Sequence, residues 1–140
     1  CEPSGSGGWQ KGIVMTYSKH SARPAAEVES RLRDAAARHK FGVLNVLDLK
    51  ATLKSKGIDF AIPCKVFDVC NPQAATAALT AEMRVSTVLP CRISVFGDGE
   101  GCTIATVKPT DLLRATGLSG VEKLAAEIEK EIVAMIDEAA

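Results

Sequence analysis

The sequence predicts an α+β domain in which helices pack on one face of a largely antiparallel sheet of about five strands. Segments with helical period alternate with β-branched segments along the chain. A glycine-rich connection at residues 97–101 joins two apolar segments, and strands joined by so short a loop must run antiparallel. The 140 residues are enough to bury one core without disulfides or metals. We therefore expect a flexible tether at residues 1–11 and one domain over residues 12–140.

The first elements are a strand at residues 13–17 and a helix that opens at Pro24, whose fixed φ suits a first helical turn. Gly42 is expected to end this helix. The segment 43–47 follows as a strand that is apolar on both sides, which is typical of a central strand. Asp48 can cap a short helix that Gly57 ends.

A strand over residues 63–69 precedes Asn71-Pro72, a pair typical of a helix start because the Asn side chain can cap while Pro fills the first turn. Strands at 88–96 and 102–107 form the hairpin, with Cys91 on its more apolar side. Ser119 and Glu122 fit a capping box for the last helix. Apolar residues then recur along that helix with helical period: Val121, Leu124, Ala125, Ile128, Ile132, Met135 and Ile136.

Composition excludes some classes of function. Seventeen basic and seventeen acidic residues cancel, so the molecule lacks the overall positive field that attracts nucleic acid. Aromatic residues are only 4%, too few to predict a stacking platform for bases. No run approaches the ~20 apolar residues of a membrane span. We expect no nucleic-acid partner and no membrane span.

Three motifs resemble the bacterial domain-of-unknown-function family 302. They are residues 41–50 (FGVLNVLDLK), Cys70-Asn71-Pro72 followed by Ala74 and Ala75, and Leu89-Pro90-Cys91 followed by a hydrophobic strand. The resemblance covers about residues 13–114. It implies a fold similar to that of the TATA-box-binding protein, often as a homodimer, and it brings no reaction, catalytic residue or DNA binding with it.

Cys70 and Cys91 are the first candidates for chemistry. Cys70 precedes the helix expected at Pro72, where the helix dipole favours a thiolate. If the strands near them are neighbours, the two sulfurs could hold Cu(I), bind haem iron or cycle through a disulfide. The competing interpretation is that both are small buried hydrophobes. The five cysteines fit neither a disulfide framework nor a zinc pattern.

The other candidate ligand-binding residues are His39 and Asn71. His39 lies on the apolar face near the end of the first helix, where a capping or packing role competes with a ligand role. Asn71 is explained by its cap. His20 falls in an expected loop, and the 97–101 loop lacks the order of a phosphate-binding motif.

Cys1 followed by a Gly/Ser segment is how a mature bacterial lipoprotein begins, so a lipid anchor at Cys1 and an envelope location are one interpretation. An interdomain linker or a cloning remnant accounts for the same residues. Unpaired cysteines favour the reducing cytoplasm.

The leading functional hypothesis is a non-enzymatic domain, dimeric, whose groove between sheet and helices receives a small ligand or a protein surface. The alternative is a thiol-centred metal or redox protein that uses Cys70 and Cys91, with Cu(I) or haem as its cofactor. An enzyme with a cysteine nucleophile ranks third, because no general base is visible in the sequence.

Overall fold

A computed structural model of the protein describes residues 15–140. The predicted tether, Cys1 and the first two residues of the predicted first strand lie outside the described residues.

The described chain forms one antiparallel sheet of five strands in the order β1-β5-β4-β3-β2. The strands are β1 (Thr16–Ser21), β2 (Gly42–Asp48), β3 (Cys64–Cys70), β4 (Cys91–Gly97) and β5 (Cys102–Val107). Strand β3 therefore lies between β2 and β4, and the hairpin β4–β5 is completed by β1. The α+β class expected from the sequence is confirmed.

Five α-helices connect and cover these strands: α1 (Ala25–Arg38), α2 (Leu49–Ser55), α3 (Pro72–Ala81), α4 (Pro109–Thr116) and α5 (Glu122–Ala139). A 3-10 helix, Met83–Val88, follows α3. Helices α1 and α5 pack against each other on one face of the sheet. The caps expected for α2 and α3 form, since Asp48 Oδ1 accepts from Ala51 N at 2.9 Å and Asn71 Oδ1 accepts from Ala74 N at 3.0 Å.

The main core lies between these two helices and the sheet. The contributing side chains are fully or almost fully buried: Val28, Leu32, Ala35 and Ala36 from α1, Ile132, Met135, Ile136 and Ala139 from α5, and Phe67, Val69, Ile93, Val95, Cys102 and Ile104 from the sheet. The alternation of β4 puts Ile93 and Val95 on this face, as the sequence pattern indicates. A second, smaller core joins Ala78, Val85, Leu113 and Val121.

Strand β2 is at an edge of the sheet, so its predicted central position is wrong. Leu44 occupies an irregularity in the pairing of β2 with β3 and is 63% exposed, and Leu47 is 41% exposed. The apolar run reflects an exposed apolar surface instead of burial on both faces. His20, expected in a loop, lies in β1 and pairs with Thr103.

The end of α1 also differs from the expectation. Lys40, with φ of 64°, takes the left-handed position, and Phe41 N donates to Ala36 O at 2.8 Å. Gly42 instead begins β2 and pairs with Cys70. Lysine adopts here a left-handed conformation that is strained for any residue with a side chain and unstrained for glycine. Because the prediction relied on glycine to mark the left-handed residue, it placed the helix end two residues too late.

Two further differences concern the second half of the chain. Strand β4 begins only at Cys91, because residues 83–88 form the 3-10 helix and Val88 packs on the smaller core. Helix α4 was not expected, although Pro109 in its first turn and Gly117, with φ of 75°, at its end are a regular pair of signals. The capping box of α5 is absent, since Glu122 accepts from Gly120 N and Ser119 does not cap.

Among the described residues, no helix combines the length and the apolarity needed to cross a membrane.

The central position of Phe67 yields a test of this packing. Phe67 is fully buried between the helices and the sheet, so Phe67→Ala should lower the free energy of unfolding by about 3–5 kcal/mol. Urea denaturation measures this change. The control Met83→Ala removes a side chain that is 66% exposed and should shift the unfolding midpoint little, so equal losses in the two variants would contradict the placement of the core.

Candidate ligand cavity

A cavity of 360 Å³ lies under the helices, where the main core meets the smaller one. Its floor is formed by the adjoining ends of β3 and β4 with Phe41, and its walls come from α3, the 3-10 helix, α4 and the first half of α5. This volume is in the lower part of the range of about 300–1,000 Å³ that holds small molecules.

The cavity exists because one wall is built from small side chains. Helix α3 presents only Ala74, Ala75 and Ala78 to the cavity, while Leu113 and Ile128 approach from α4 and α5. Alanine ends at Cβ, so these positions cannot fill the space between the helices as leucines would. The lining is therefore mainly apolar.

Polar groups enter the cavity at few places. Asn71 stands at the start of α3, and its Oδ1 is engaged by the Ala74 amide. Its Nδ2 donates to no acceptor within residues 15–140 and remains available to a ligand. Thr87 also lines the cavity and donates to Arg84 O at 2.8 Å, whereas Arg92 borders the cavity from β4 with its side chain on the opposite face of the sheet.

Cys70 and Cys91 both line this cavity. Val69 pairs directly with Cys91, so Cys70 is the next residue along β3. Burial, together with the neighbouring Cys70, raises the pKa of the Cys91 thiol to about 11. At neutral pH Cys91 is therefore a protonated thiol, which packs as a small apolar group and is a poor nucleophile.

The other described cysteines lie elsewhere. Cys102 is buried in the main core with its Sγ 3.7 Å from Arg23 O, and Cys64 begins β3 opposite Phe96. All four are free thiols. Within residues 15–140, no group of three or more His, Cys, Asp or Glu side chains is placed to hold a metal ion.

His39 is not part of the cavity. It follows α1 and joins it to α5, with Nδ1 2.6 Å from Glu131 Oε1 and Nε2 2.6 Å from Glu138 Oε2. Arg38 donates to the same Glu138 carboxylate at 2.9 Å. Hydrogen bonds to both carboxylates raise the pKa of His39, and the His39 and Arg38 bonds lower the pKa of Glu138. The His39 ring therefore links α1 to α5 through both of its nitrogens.

The hairpin loop has a structural function. A Cβ on Gly101 would lie 2.1 Å from Ser21 O, so only glycine fits there. Asp98 Oδ2 lies 2.6 Å from His20 Nδ1 and accepts from Thr103 Oγ1 at 2.8 Å. A carboxylate at the start of the loop repels a phosphate, in line with the expectation of a plain hairpin.

The structure thus brings together three of the four residues singled out for ligand binding, namely Cys70, Asn71 and Cys91, and places His39 elsewhere. Sequence reasoning missed the opposite wall, because it predicts neither α4 nor any element for residues 83–87. The missed lining residues include Val85, Thr87, Leu112 and Leu113. Pro109 at a helix start and Gly117 at a helix end could have predicted α4, and with it Leu112 and Leu113.

Fold and cavity define an α+β domain whose five-stranded antiparallel sheet is covered by helices on the side that holds the cavity. The chain belongs to the DUF302 family, since the model of "Domain of unknown function DUF302" matches residues 17–139. This confirms the resemblance found in the three sequence motifs. Among the curated proteins, no sequence matches the chain.

A solved structure supports the same assignment. The crystal structure of an uncharacterized conserved DUF302 protein from Bacillus stearothermophilus is 30% identical in sequence, with a TM-score of 0.87. The match covers 91% of this chain and 100% of that chain.

The His39 link has a pH signature. Because the pKa of His39 is raised above its ordinary 6.5, its contribution to stability is complete below that pH and is lost as pH rises through the folded-state pKa. The pKa of Glu138 is lowered from 4.5, so its contribution holds above that pH and is lost as pH falls through the folded-state pKa. His39→Gln should therefore destabilise most between these two values.

Urea denaturation of both proteins over a pH series measures this difference in the free energy of unfolding. His20→Gln, measured in the same series, separates the effect from that of the second histidine. A His39→Gln deficit that stays constant as pH rises well above 6.5 would contradict the link.

Proposed function

We propose that this domain binds a small, largely apolar molecule in the 360 Å³ cavity. The observation that carries the proposal is the wall of alanines on α3, which leaves space beside a fully packed main core. A domain that needed this region only for stability would gain by filling it. The free Nδ2 of Asn71 offers the ligand a hydrogen-bond donor at one end.

Binding fits this cavity better than catalysis does. The Cys91 thiol is protonated at neutral pH because its pKa is raised to about 11. No histidine or carboxylate among residues 15–140 lines the cavity, so no general base accompanies the two thiols. An apolar lining with a few polar contacts is typical of binding sites for small molecules.

Filling the cavity tests the proposal. Ala75→Phe places a ring in the space, and Ala77→Phe adds the same ring to an exposed position of the same helix. With anilinonaphthalene sulfonate as the fluorescent probe, Ala75→Phe should weaken binding at least about tenfold, or about 1.4 kcal/mol. Ala77→Phe should leave binding unchanged.

Equal titrations for the two variants and the unmodified protein would refute cavity binding. Circular dichroism of each variant separates a filled cavity from a misfolded domain. Native mass spectrometry of protein from its own host then gives the mass of any natural ligand.

A thiol-centred metal protein is the second candidate, favoured by the presence of Cys70 and Cys91 at one cavity. Cu(I) is the metal that suits two thiolates. Haem suits the cavity less well, since no histidine among the described residues lines it. Cu(I) would have to displace the proton of Cys91, so its binding should strengthen as pH rises.

Competition titration with a Cu(I) chelator tests this candidate. The double variant Cys70→Ser, Cys91→Ser should lose Cu(I) binding, while Cys64→Ser, outside the cavity, should keep it. An unchanged titration in the double variant removes the candidate.

The domain is also proposed to act as a homodimer through the sheet face opposite α1 and α5. Arg92 lies on that face with its side chain 73% exposed, and its Nε is 3.4 Å from Asp68 Oδ1. That oxygen is buried and accepts no hydrogen bond within the described residues. In a two-fold dimer each patch meets its own copy, so Arg92 of one subunit can approach Asp68 of the other.

Light scattering after size exclusion measures the dimer. Arg92→Glu should raise the dissociation constant at least about tenfold, because it opposes two carboxylates across the interface. Arg114→Glu reverses a charge of equal exposure on α4 and serves as the control. A strict monomer, or dimers of equal strength in both variants, would overturn this part of the proposal.

A further inference from the structure

Exposed apolar side chains concentrate in the chain between β2 and β3, away from the cavity. Among the described residues seven large hydrophobic side chains are exposed, and five of them belong to the short segment from β2 to the start of β3. These five are Leu44, Leu47, Ile58, Phe60 and Ile62. Isolated exposed apolar residues need no explanation, but so many in one segment indicate a contact surface.

The loop between α2 and β3, residues 57–63, is held at both ends. Gly57, with φ of 83°, ends α2, and Ile58 N donates back to Leu53 O at 3.0 Å. At the other end Pro63 O accepts from Gly97 N at 3.0 Å. Every residue from 54 to 63 is exposed. The loop is thus anchored to the fold while its apolar side chains face solvent.

Three lysines come directly before this loop in the chain. Lys50, Lys54 and Lys56 are exposed on and just after α2, against a single acidic residue, Asp59, in the loop. The ion pairs that lysines make within residues 15–140 involve Lys19, Lys65 and Lys108 instead. A chain with zero net charge therefore concentrates positive charge beside its most exposed apolar loop.

We propose that the loop 57–63 and the lysines of α2 bind an anionic lipid surface. Ile58, Phe60 and Ile62 enter the boundary between headgroups and acyl chains, as the apolar face of an interfacial segment does. The lysines rest their stems on that boundary and hold their ammonium groups at the anionic headgroups.

The charge pattern selects lipid over a second copy of the chain. A two-fold contact through this surface would bring together two patches of the same net positive charge, which is repulsive. An anionic membrane supplies the opposite charge. The exposed loop also offers no groove for a peptide.

Co-sedimentation with vesicles tests the proposal in the full chain. We expect binding to phosphatidylcholine vesicles that contain phosphatidylglycerol and little binding to phosphatidylcholine alone. Replacing Lys50, Lys54 and Lys56 by Gln should lower the partition coefficient roughly a hundredfold, since each lysine near an anionic surface contributes about a fivefold change. Salt should weaken the binding in the same way.

Phe60→Ser should also release the protein from the vesicles, which separates insertion of the loop from simple charge attraction. The matched controls are Met83→Ser, an exposed apolar residue elsewhere, and the pair Lys123→Gln, Lys130→Gln on α5. All controls should bind as the unmodified protein does. The cavity variant Ala75→Phe should also bind the anionic vesicles. A failure of the lipid proposal is therefore distinguishable from a failure of the cavity proposal.

Three results would overturn the proposal. The first is no binding to the anionic vesicles. The second is binding that survives both Phe60→Ser and the lysine replacements. The third is a change of oligomeric mass in the Phe60→Ser variant with vesicle binding unaltered, which would assign the loop to a contact between copies.

Discussion

The packing of α1 and α5 on one face of the sheet is the interaction on which the rest of the structure depends. Phe67 of β3 is fully buried between these layers, and Arg33 of α1 stacks over its ring at 5.5 Å. Two polar contacts fix the pair of helices further. Arg31 donates to Ala139 O at 3.0 Å, which satisfies a carbonyl at the end of α5, and His39 links α1 to Glu131 and Glu138.

The cavity follows from where this packing stops. Helices α1 and α5 fill the sheet face with large side chains, but past Val69 the layer is completed by the alanines of α3. Helix α3 is held there by the Asn71 cap directly after β3. The same short motif that begins the helix therefore places Cys70, a polar amide and an alanine wall around one space. The Cys91 thiol in this space remains protonated at neutral pH and is a poor nucleophile.

The two proposed surfaces are separate in the fold. The cavity lies under α3, α4 and α5, whereas the apolar loop 57–63 lies between α2 and β3. Neither the cavity nor the loop 57–63 depends on the other, so a substitution in one should leave the other intact.

The sequence by itself determined the elements whose signals are local. Asn71-Pro72 at a helix start, Gly57 at a helix end and the alternation around Ile93 each depend on backbone geometry and period, which act within a few residues. The sequence also pointed to Cys70, Asn71 and Cys91. Only the tertiary structure decided that β2 is an edge strand, because exposed apolar residues have the same sequence pattern as residues in a core. It also decided that His39 is hydrogen-bonded to Glu138 of α5 and that α4 forms a wall of the cavity. Both features depend on contacts between residues far apart in the chain.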